Sequence, residues 1–294
     1  MATEPIRSAR RAGVLGSPIG HSLSPVLHRA AYAALGLDGW SYDAYEVDEA
    51  GLAGWLARLD PSWAGLSLTM PLKRAILPHL SALSPLAAEV GVVNTVLVRG
   101  DGRLDGDNTD VHGIVTALRE AGAGAAGRAH VLGAGATACS ALAALRRLGC
   151  RAPVVHARSV ARAAELEAAG RRMGVRVELS GFDRLPQRAA EITAADVVIT
   201  TLPAGAADDL AALLLRDGDP PAAVLLDVVY RPWPTVLAAA WAGAGGQVAG
   251  GLAMLVHQAA AQVRLMTGRT PPVAAMRAAG EAAMAPASRG GPSG

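Results

Sequence analysis

Residues 129–138 read AHVLGAGATA, and the parsing of the whole chain starts from them. AHVL (129–132) is a short apolar strand candidate, and ATACSALAALRRLG (136–149) has helical spacing, so a glycine loop joins strand to helix with no residues to spare. Gly133, Gly135 and Ala138 stand in G-x-G-x-x-[G/A] spacing. In that context the first glycine permits the tight turn and the second lets backbone approach a pyrophosphate. The small third residue lets helix and strand pack closely. A phosphate would rest on the free N–H groups of the helix N-terminus, where the dipole favours negative charge. The stretch Gly133, Ala134, Gly135, Ala136, Thr137 and Ala138 is therefore expected to bind a dinucleotide, the bland alternative being a tight turn and nothing more.

Working outward, short apolar strands alternate with Ala-rich helical segments: PVVHA (153–157), VRVEL (175–179), DVVIT (196–200), AVLLDV (223–228) and QVAG (247–250) follow AHVL. Six such strands suit a doubly wound parallel sheet wrapped by helices. Dinucleotide enzymes that use NAD carry an acidic residue at the end of the second strand, about twenty residues on, to hold the ribose 2′-hydroxyl. Here that strand ends in HARSVAR (156–162). Arg158, Ser159 and Arg162 suit a 2′-phosphate through charge-assisted hydrogen bonds, so NADP is the expected cofactor, with a solvated helix start as the plainer reading.

Before residue 128 the alternation has different punctuation. The candidates are strand AGVLG (12–16), a helix from Pro25 to Leu35, strand WSYDAYEV (40–47), a helix through Leu56, strand AGLSL (64–68), and two further strands near NTVLV (94–98) and RLDGD (103–107). This is a second α/β unit. The segment GGLAMLVHQAAAQVRLMTG (250–268) reads as a helix that returns to the first unit, and the apolar-poor tail ASRGGPSG (287–294) as disordered. The expected division is a substrate unit over 1–110, a dinucleotide unit over 111–250 and a C-terminal helical segment over 251–286.

Composition narrows the function classes. A formal charge of +2 comes from scattered arginines, with no basic run or interleaved aromatics to follow a nucleic-acid backbone. Cys139 and Cys150 form no C-x-x-C and have no histidine at ligand spacing, so neither a disulfide framework nor a metal site is suggested. The apolar run behind Arg7, Arg10 and Arg11 is short and broken by Gly and Pro, which is no signal peptide. The longest uncharged stretch, from Pro232 toward His257, holds two prolines and five glycines and does not read as a membrane span. A soluble cytoplasmic protein acting on a small molecule, as a monomer or homodimer, is the expectation.

One residue is chemically singular: of 27 Lys and Arg, Lys73 in LSLTMPLK (66–73) is the only lysine. Arg stays protonated and presents a fixed fork, whereas an ammonium is a compact charge that can also give up a proton. Around it in sequence order lie Ser22 and Ser24 in GHSLSP, Ser67 and Thr69, Asn94 in GVVNT, and Asp107, Asn108, Thr109 and Asp110 in GDNTD. Taken singly these have plain explanations. Ser24 before Pro25 makes a good N-cap, Asp110 could cap the helix VHGIVTALRE, and Asn94 could hold a turn.

Taken together and in order, the elements S-x-S-P, T-x-P-x-K, V-N-T, D-N-T-D, G-A-G and G-L-x-M-L-x-x-Q resemble the shikimate dehydrogenase family from about Gly13 to Thr267. The resemblance implies reversible NADPH-dependent reduction of 3-dehydroshikimate to shikimate, a step toward aromatic amino acids. It implies that Ser22 and Ser24 bind the substrate carboxylate, that Thr69, Asn94 and Gln258 hold ring hydroxyls, and that Lys73 and Asp110 are the catalytic pair. Ser67 and Tyr230 would also border the substrate, and Thr201, Gly251 and Met254 the cofactor, Met254 near the nicotinamide. Two departures stand out: Ser67 where many members have Asn, and Ala136 where many have Gly. A carboxylate near Lys73 favours its charged form, so the pair is expected to orient the reacting hydroxyl and share its proton. The rivals are a quinate/shikimate dehydrogenase using NAD, which Arg158 and Arg162 argue against, and a nicotinamide-sensing regulator without turnover, which Lys73 and Asp110 argue against.

Overall fold

The computed structural model describes residues 9–159, 163–214 and 220–285. In the first half, β1 (Arg10–Gly16), α1 (Ser24–Ala34), β2 (Trp40–Glu46), α2 (Glu49–Leu56) and β3 (Trp63–Leu68) lead into a single helical turn, α3 (Leu72–Ala75). Then come β4 (Ala82–Leu83), α4 (Pro85–Val90), β5 (Thr95–Val98), β6 (Leu104–Asp107) and α5 (Asp110–Glu120). The strands form a mixed sheet in the order β2-β1-β3-β5-β6-β4, with β5 antiparallel to β3 and β6.

Strand alternation decides which core each residue joins. Along β1, Leu15 packs with Leu52, Trp55, Leu66, Leu72 and Ile76 on one face, while Val14 joins Leu27, Tyr42, Val256 and Val263 on the other. Leu72 and Ile76, both fully buried, anchor the short α3. Burying each such side chain contributes about 2 kcal/mol, which fixes a turn too short to be stable alone. α2 starts cleanly because the Asp48 carboxylate accepts from the Gly51 amide at 2.7 Å.

The second half runs β7 (Ala129–Leu132), α6 (Ala136–Leu148), β8 (Val154–Ala157), α7 (Ala164–Met173), β9 (Glu178–Gly181), α8 (Leu185–Thr193), β10 (Val197–Thr200), α9 (Asp208–Leu214), β11 (Val224–Asp227), α10 (Val236–Gly243) and β12 (Val248–Gly250). Among the described residues these strands form one all-parallel sheet, β12-β11-β10-β7-β8-β9, the doubly wound order with its switch between β7 and β10. The four strands β7, β8, β10 and β11 are buried along their whole length, as a sheet covered on both faces requires.

The third strand of this sheet lies later than the sequence suggests. Val175 to Val177 are not its start: Gly174 closes α7 in the left-handed region, and the Val175 amide donates to Gly170 O at 2.8 Å. The buried Val175 side chain serves as the apolar contact of that helix end, so pairing with β8 begins at Glu178.

After β12 the described residues form two helices, α11 (Gly251–Thr267) and α12 (Val273–Met284), where the sequence reads as one. Val256, Ala259, Ala260 and Val263 of α11 and Met276 of α12 are buried with Leu27, Ala31 and Tyr42 of the first half. α11 also packs along α5, so the returning helices tie both sheets together around one cleft. The tail from residue 286 onward lies outside the described residues.

Candidate active site

The Lys73 ammonium donates to Asp110 Oδ2 at 2.6 Å, and the two side chains are 13% and 5% exposed. Lys73 is held from behind by its backbone, whose carbonyl accepts from the Val93 amide at 2.9 Å. Asp110 opens α5, so its carboxylate benefits from the positive end of that helix. Its second oxygen, Oδ1, accepts from Asn94 Nδ2 at 2.7 Å. A nearly buried ion pair needs its remaining polar atoms matched, and Asn94 matches the second oxygen of the carboxylate. The Asn94 amide nitrogen also lies 3.2 Å from Gln258 Oε1 on α11.

Two plain readings of the sequence are corrected. Ser24 does not cap α1: it is the first helical residue, Leu23 is the cap, and the Ser24 amide donates to Ser22 Oγ at 3.3 Å. Asp110 does not cap α5 either. Thr109 holds the cap position, with its hydroxyl turned away from the helix toward Asn94, whose Oδ1 accepts from the Thr109 amide at 2.8 Å. Asn94 does hold the turn, and it faces Asp110 as well.

A cleft of about 230 Å³ opens in front of Lys73. Of the residues singled out in the sequence, Ser22, Ser24, Ser67, Thr69, Lys73, Asn94, Asp110, Thr137, Tyr230, Met254 and Gln258 line it. Tyr230 comes from the loop after β11, fixed by the buried Asp227 carboxylate. That carboxylate accepts from the Val229 amide at 3.0 Å and from the Thr235 hydroxyl at 2.7 Å. Burial pushes the Asp227 carboxyl and the Tyr230 hydroxyl up from their ordinary values. Gly251 is required where α11 begins, because a Cβ there would lie 2.2 Å from Val228 O. Val14, Pro18, Ile19, His21, Leu68, Val228 and Leu255 also line the cleft. Sequence reasoning passed over them; adjacency to the polar clusters was the available signal for His21, Leu68 and Val228.

The remaining sequence candidates lie beside the cleft on the second sheet. Gly133 follows β7 at the switch point with φ +106, a conformation that favours glycine, and a Cβ there would lie 2.5 Å from Thr201 Oγ1. Thr201 leaves β10 and ties the two strand ends, its amide and hydroxyl both donating to Leu132 O, at 2.8 and 3.1 Å. A Cβ on Gly135 would meet nothing within 4 Å, so the space over the loop is open. α6 begins behind it at Ala136 with no side-chain cap on its N–H groups. Open space, glycine backbone and an uncapped helix of thirteen residues fit a dinucleotide pyrophosphate. Ala138 is fully buried where α6 meets the sheet. Arg158 and Ser159 are exposed just past β8 on the same side as the loop, where a ribose phosphate could reach them. Arg162 lies outside the described residues. Ala134 lies in the turn, and Ala136 and Thr137 are the first residues of α6, with Thr137 lining the cleft.

Among the described residues, no three His, Cys, Asp or Glu side chains group as metal ligands, and no helix is long and apolar enough to cross a membrane. Cys139 and Cys150 are free and buried.

Comparison with known proteins agrees with this arrangement. Residues 14–96 match the model of the shikimate dehydrogenase substrate binding domain, and residues 251–279 that of the shikimate 5′-dehydrogenase C-terminal domain. A shikimate dehydrogenase (NADP(+)) of Moorella thermoacetica is 40% identical over 95% of this chain and 95% of its own. The crystal structure of Mycobacterium tuberculosis shikimate dehydrogenase, 43% identical, superposes with a TM-score of 0.82 over 93% of this chain and 99% of that one. A Thermus thermophilus shikimate 5-dehydrogenase, solved in complex with NADP(H) and shikimate, is 35% identical, with a TM-score of 0.80 over 93% and 99% of the two chains.

Proposed function

The chain belongs to the shikimate dehydrogenase family, and from that premise we propose how its residues divide the work of reducing 3-dehydroshikimate to shikimate with NADPH. The activity and the cofactor follow from relatives named for both and matched over nearly the whole chain. The observation that carries the residue assignment is the Lys73–Asp110 pair, 2.6 Å apart, on the wall of a cleft that also reaches Thr137 in the first turn of α6, just past the glycine loop.

When bound, NADPH supplies the hydride for the carbonyl carbon. Lys73 then has the task of meeting charge at the carbonyl oxygen. One of its three N–H bonds is used on Asp110, which leaves two for the substrate oxygen. In that position it polarises the carbonyl and can deliver a proton as the alkoxide forms, and in the reverse direction the pair takes the hydroxyl proton. Asp110, pinned by Asn94, keeps the ammonium aimed into the cleft. Asn94, Thr69 and Gln258 are assigned to ring hydroxyls, Ser22 and Ser24 to the carboxylate, and Tyr230 to the open side of the ring.

The proposed division of labour along the chain is a substrate unit over 1–110, a dinucleotide unit over 111–250 and the returning segment 251–286. The two sheets support it, as do the matches to a substrate binding domain and to a C-terminal domain. The glycine loop and α6 are assigned to the pyrophosphate, Arg158, Ser159 and Arg162 to the 2′-phosphate, Thr201 and Gly251 to the strand and helix ends beside the cofactor, and Met254 to the nicotinamide. A cytoplasmic location belongs to this proposal, and cell fractionation tests it. The experiment for the whole reading is oxidation of shikimate and quinate by purified protein with NADP or NAD. Shikimate with NADP should give the highest kcat/KM; a preference for quinate with NAD would replace this reading by the rival one.

A further inference from the structure

Ser67 lines the cleft but is only 4% exposed, and its hydroxyl is already engaged on two sides. On one side lies Gln262 of α11, fully buried. The Gln262 Nε2 donates to the backbone carbonyl of Asn94 at 3.2 Å and to Thr95 Oγ1 at 3.0 Å. A carbonyl only accepts, so the amide can face one way, with Oε1 toward Ser67 Oγ at 2.8 Å and His28 Nε2 at 3.2 Å. Oε1 also only accepts, so Ser67 must give it its single proton. On the other side the Tyr42 hydroxyl donates to Ser67 Oγ at 2.6 Å. Tyr42 is fully buried and stacks on His28 with ring centroids 3.9 Å apart. Burial pushes the Tyr42 hydroxyl far up, so it keeps its proton, and holds His28 down to about 3, so the imidazole stays neutral.

The Ser67 oxygen, with two lone pairs and one proton, is left with one lone pair and nothing to donate. We propose that Tyr42 and Gln262 act as positioning residues that make Ser67 an acceptor toward the cleft, so that it reads a ring hydroxyl of the substrate and turns a carboxylate away. A carboxylate there would set acceptor against acceptor with no compensating hydrogen bond. Ser22 is the opposite case: its oxygen receives the Ser24 amide, and its proton is free to donate. The two serines therefore give the cleft polarity, a donor end for the carboxylate and an acceptor for a hydroxyl. This rests on the shikimate reading above and adds which substrate group Ser67 recognises.

The test compares wild type with Ser67→Ala on four substrates: shikimate, the two analogues each lacking one of the ring hydroxyls that are not oxidised, and the carboxamide of shikimate. Ser67→Ala should raise KM for shikimate about tenfold, the factor for one hydrogen bond, with kcat within about twofold. With one deoxy analogue the difference between the two proteins should vanish, and with the carboxamide it should remain. Disappearance of the difference with the carboxamide would overturn the proposal, as would its persistence with both deoxy analogues or an unchanged shikimate KM. Gln262→Met supplies a second line that does not depend on Ser67→Ala folding. Freeing the Ser67 proton should narrow the ratio of deoxy to shikimate KM, and an unchanged ratio in a folded variant contradicts the proposal. Wild type that fails to oxidise shikimate with NADP would instead remove the underlying reading, and this inference with it.

Discussion

Arg74, next to Lys73 on the one-turn helix α3, reaches across to the cofactor unit, where its Nη1 lies 2.5 Å from Glu165 Oε2 at the start of α7. Its Nη2 donates to Cys139 Sγ on α6 at 3.2 Å. The helix that carries the only lysine is thus tied to the two helices that follow the glycine loop and the Arg158 segment. The Glu165 end is 64% exposed, and such pairs contribute under about 1 kcal/mol. Arg74→Ala should therefore melt close to wild type, while kcat falls about three- to tenfold as Lys73 loses its fixed distance from the cofactor. Thermal unfolding and steady-state rates on one preparation separate the two effects; unchanged kcat would make the contact a surface ion pair only.

Arg158 carries the prediction on cofactor choice. It is exposed past β8 with no carboxylate beside it in the sequence HARS. Loss of a charge-assisted hydrogen bond to the 2′-phosphate is worth roughly ten- to a hundredfold in affinity. Arg158→Ala should raise KM for NADP by that factor and leave the NAD value within about twofold. Equal effects on both cofactors would mean that Arg158 shapes the loop without reading the phosphate.

Stability should fall in mild acid. His28 and His156 are fully buried, and burial holds both down to about 3, with the His130 ring adding to the effect at His156. The unfolded chain therefore binds more protons between about pH 6.5 and 3. Stability is complete above that window and is lost as the pH drops through it. At 1.36 kcal/mol per unit, each histidine removes on the order of 2 kcal/mol between pH 6.5 and 5. Urea midpoints at pH 7 and 5 should show this loss, and His156→Leu should flatten the dependence. A variant with the wild-type pH slope would contradict the assignment for His156.

Legibility followed sequence distance. The glycine loop was readable because strand, turn and helix are contiguous and the turn itself demands a glycine at Gly133, where φ is positive. Lys73 stood out by rarity, and the polar clusters by their order. The family resemblance then gathered them, and the cleft brings eleven of the singled-out residues together. What could not be read depends on contacts between distant segments. Gln262 meets Ser67 across 195 positions and Tyr42 meets it across 25, separations over which the sequence carries no sign of the contact. The late start of β9 is another case, since only the packed end of α7 shows that Val175 closes a helix. The two-residue β4 exists only because β6 offers it an edge.

The central claim is that the Lys73 ammonium, aimed by Asp110, meets the oxygen of the reacting carbon, and the most direct measurement is the rate of the chemical step in Lys73→Met. A thioether of similar length keeps the packing and removes both charge and proton. Shikimate-dependent NADPH formation under single-turnover conditions should slow by about a thousandfold or more, with the Kd for NADP within about twofold of wild type. A folded variant that reacts within tenfold of the wild-type rate would show that the amine does not act on that oxygen.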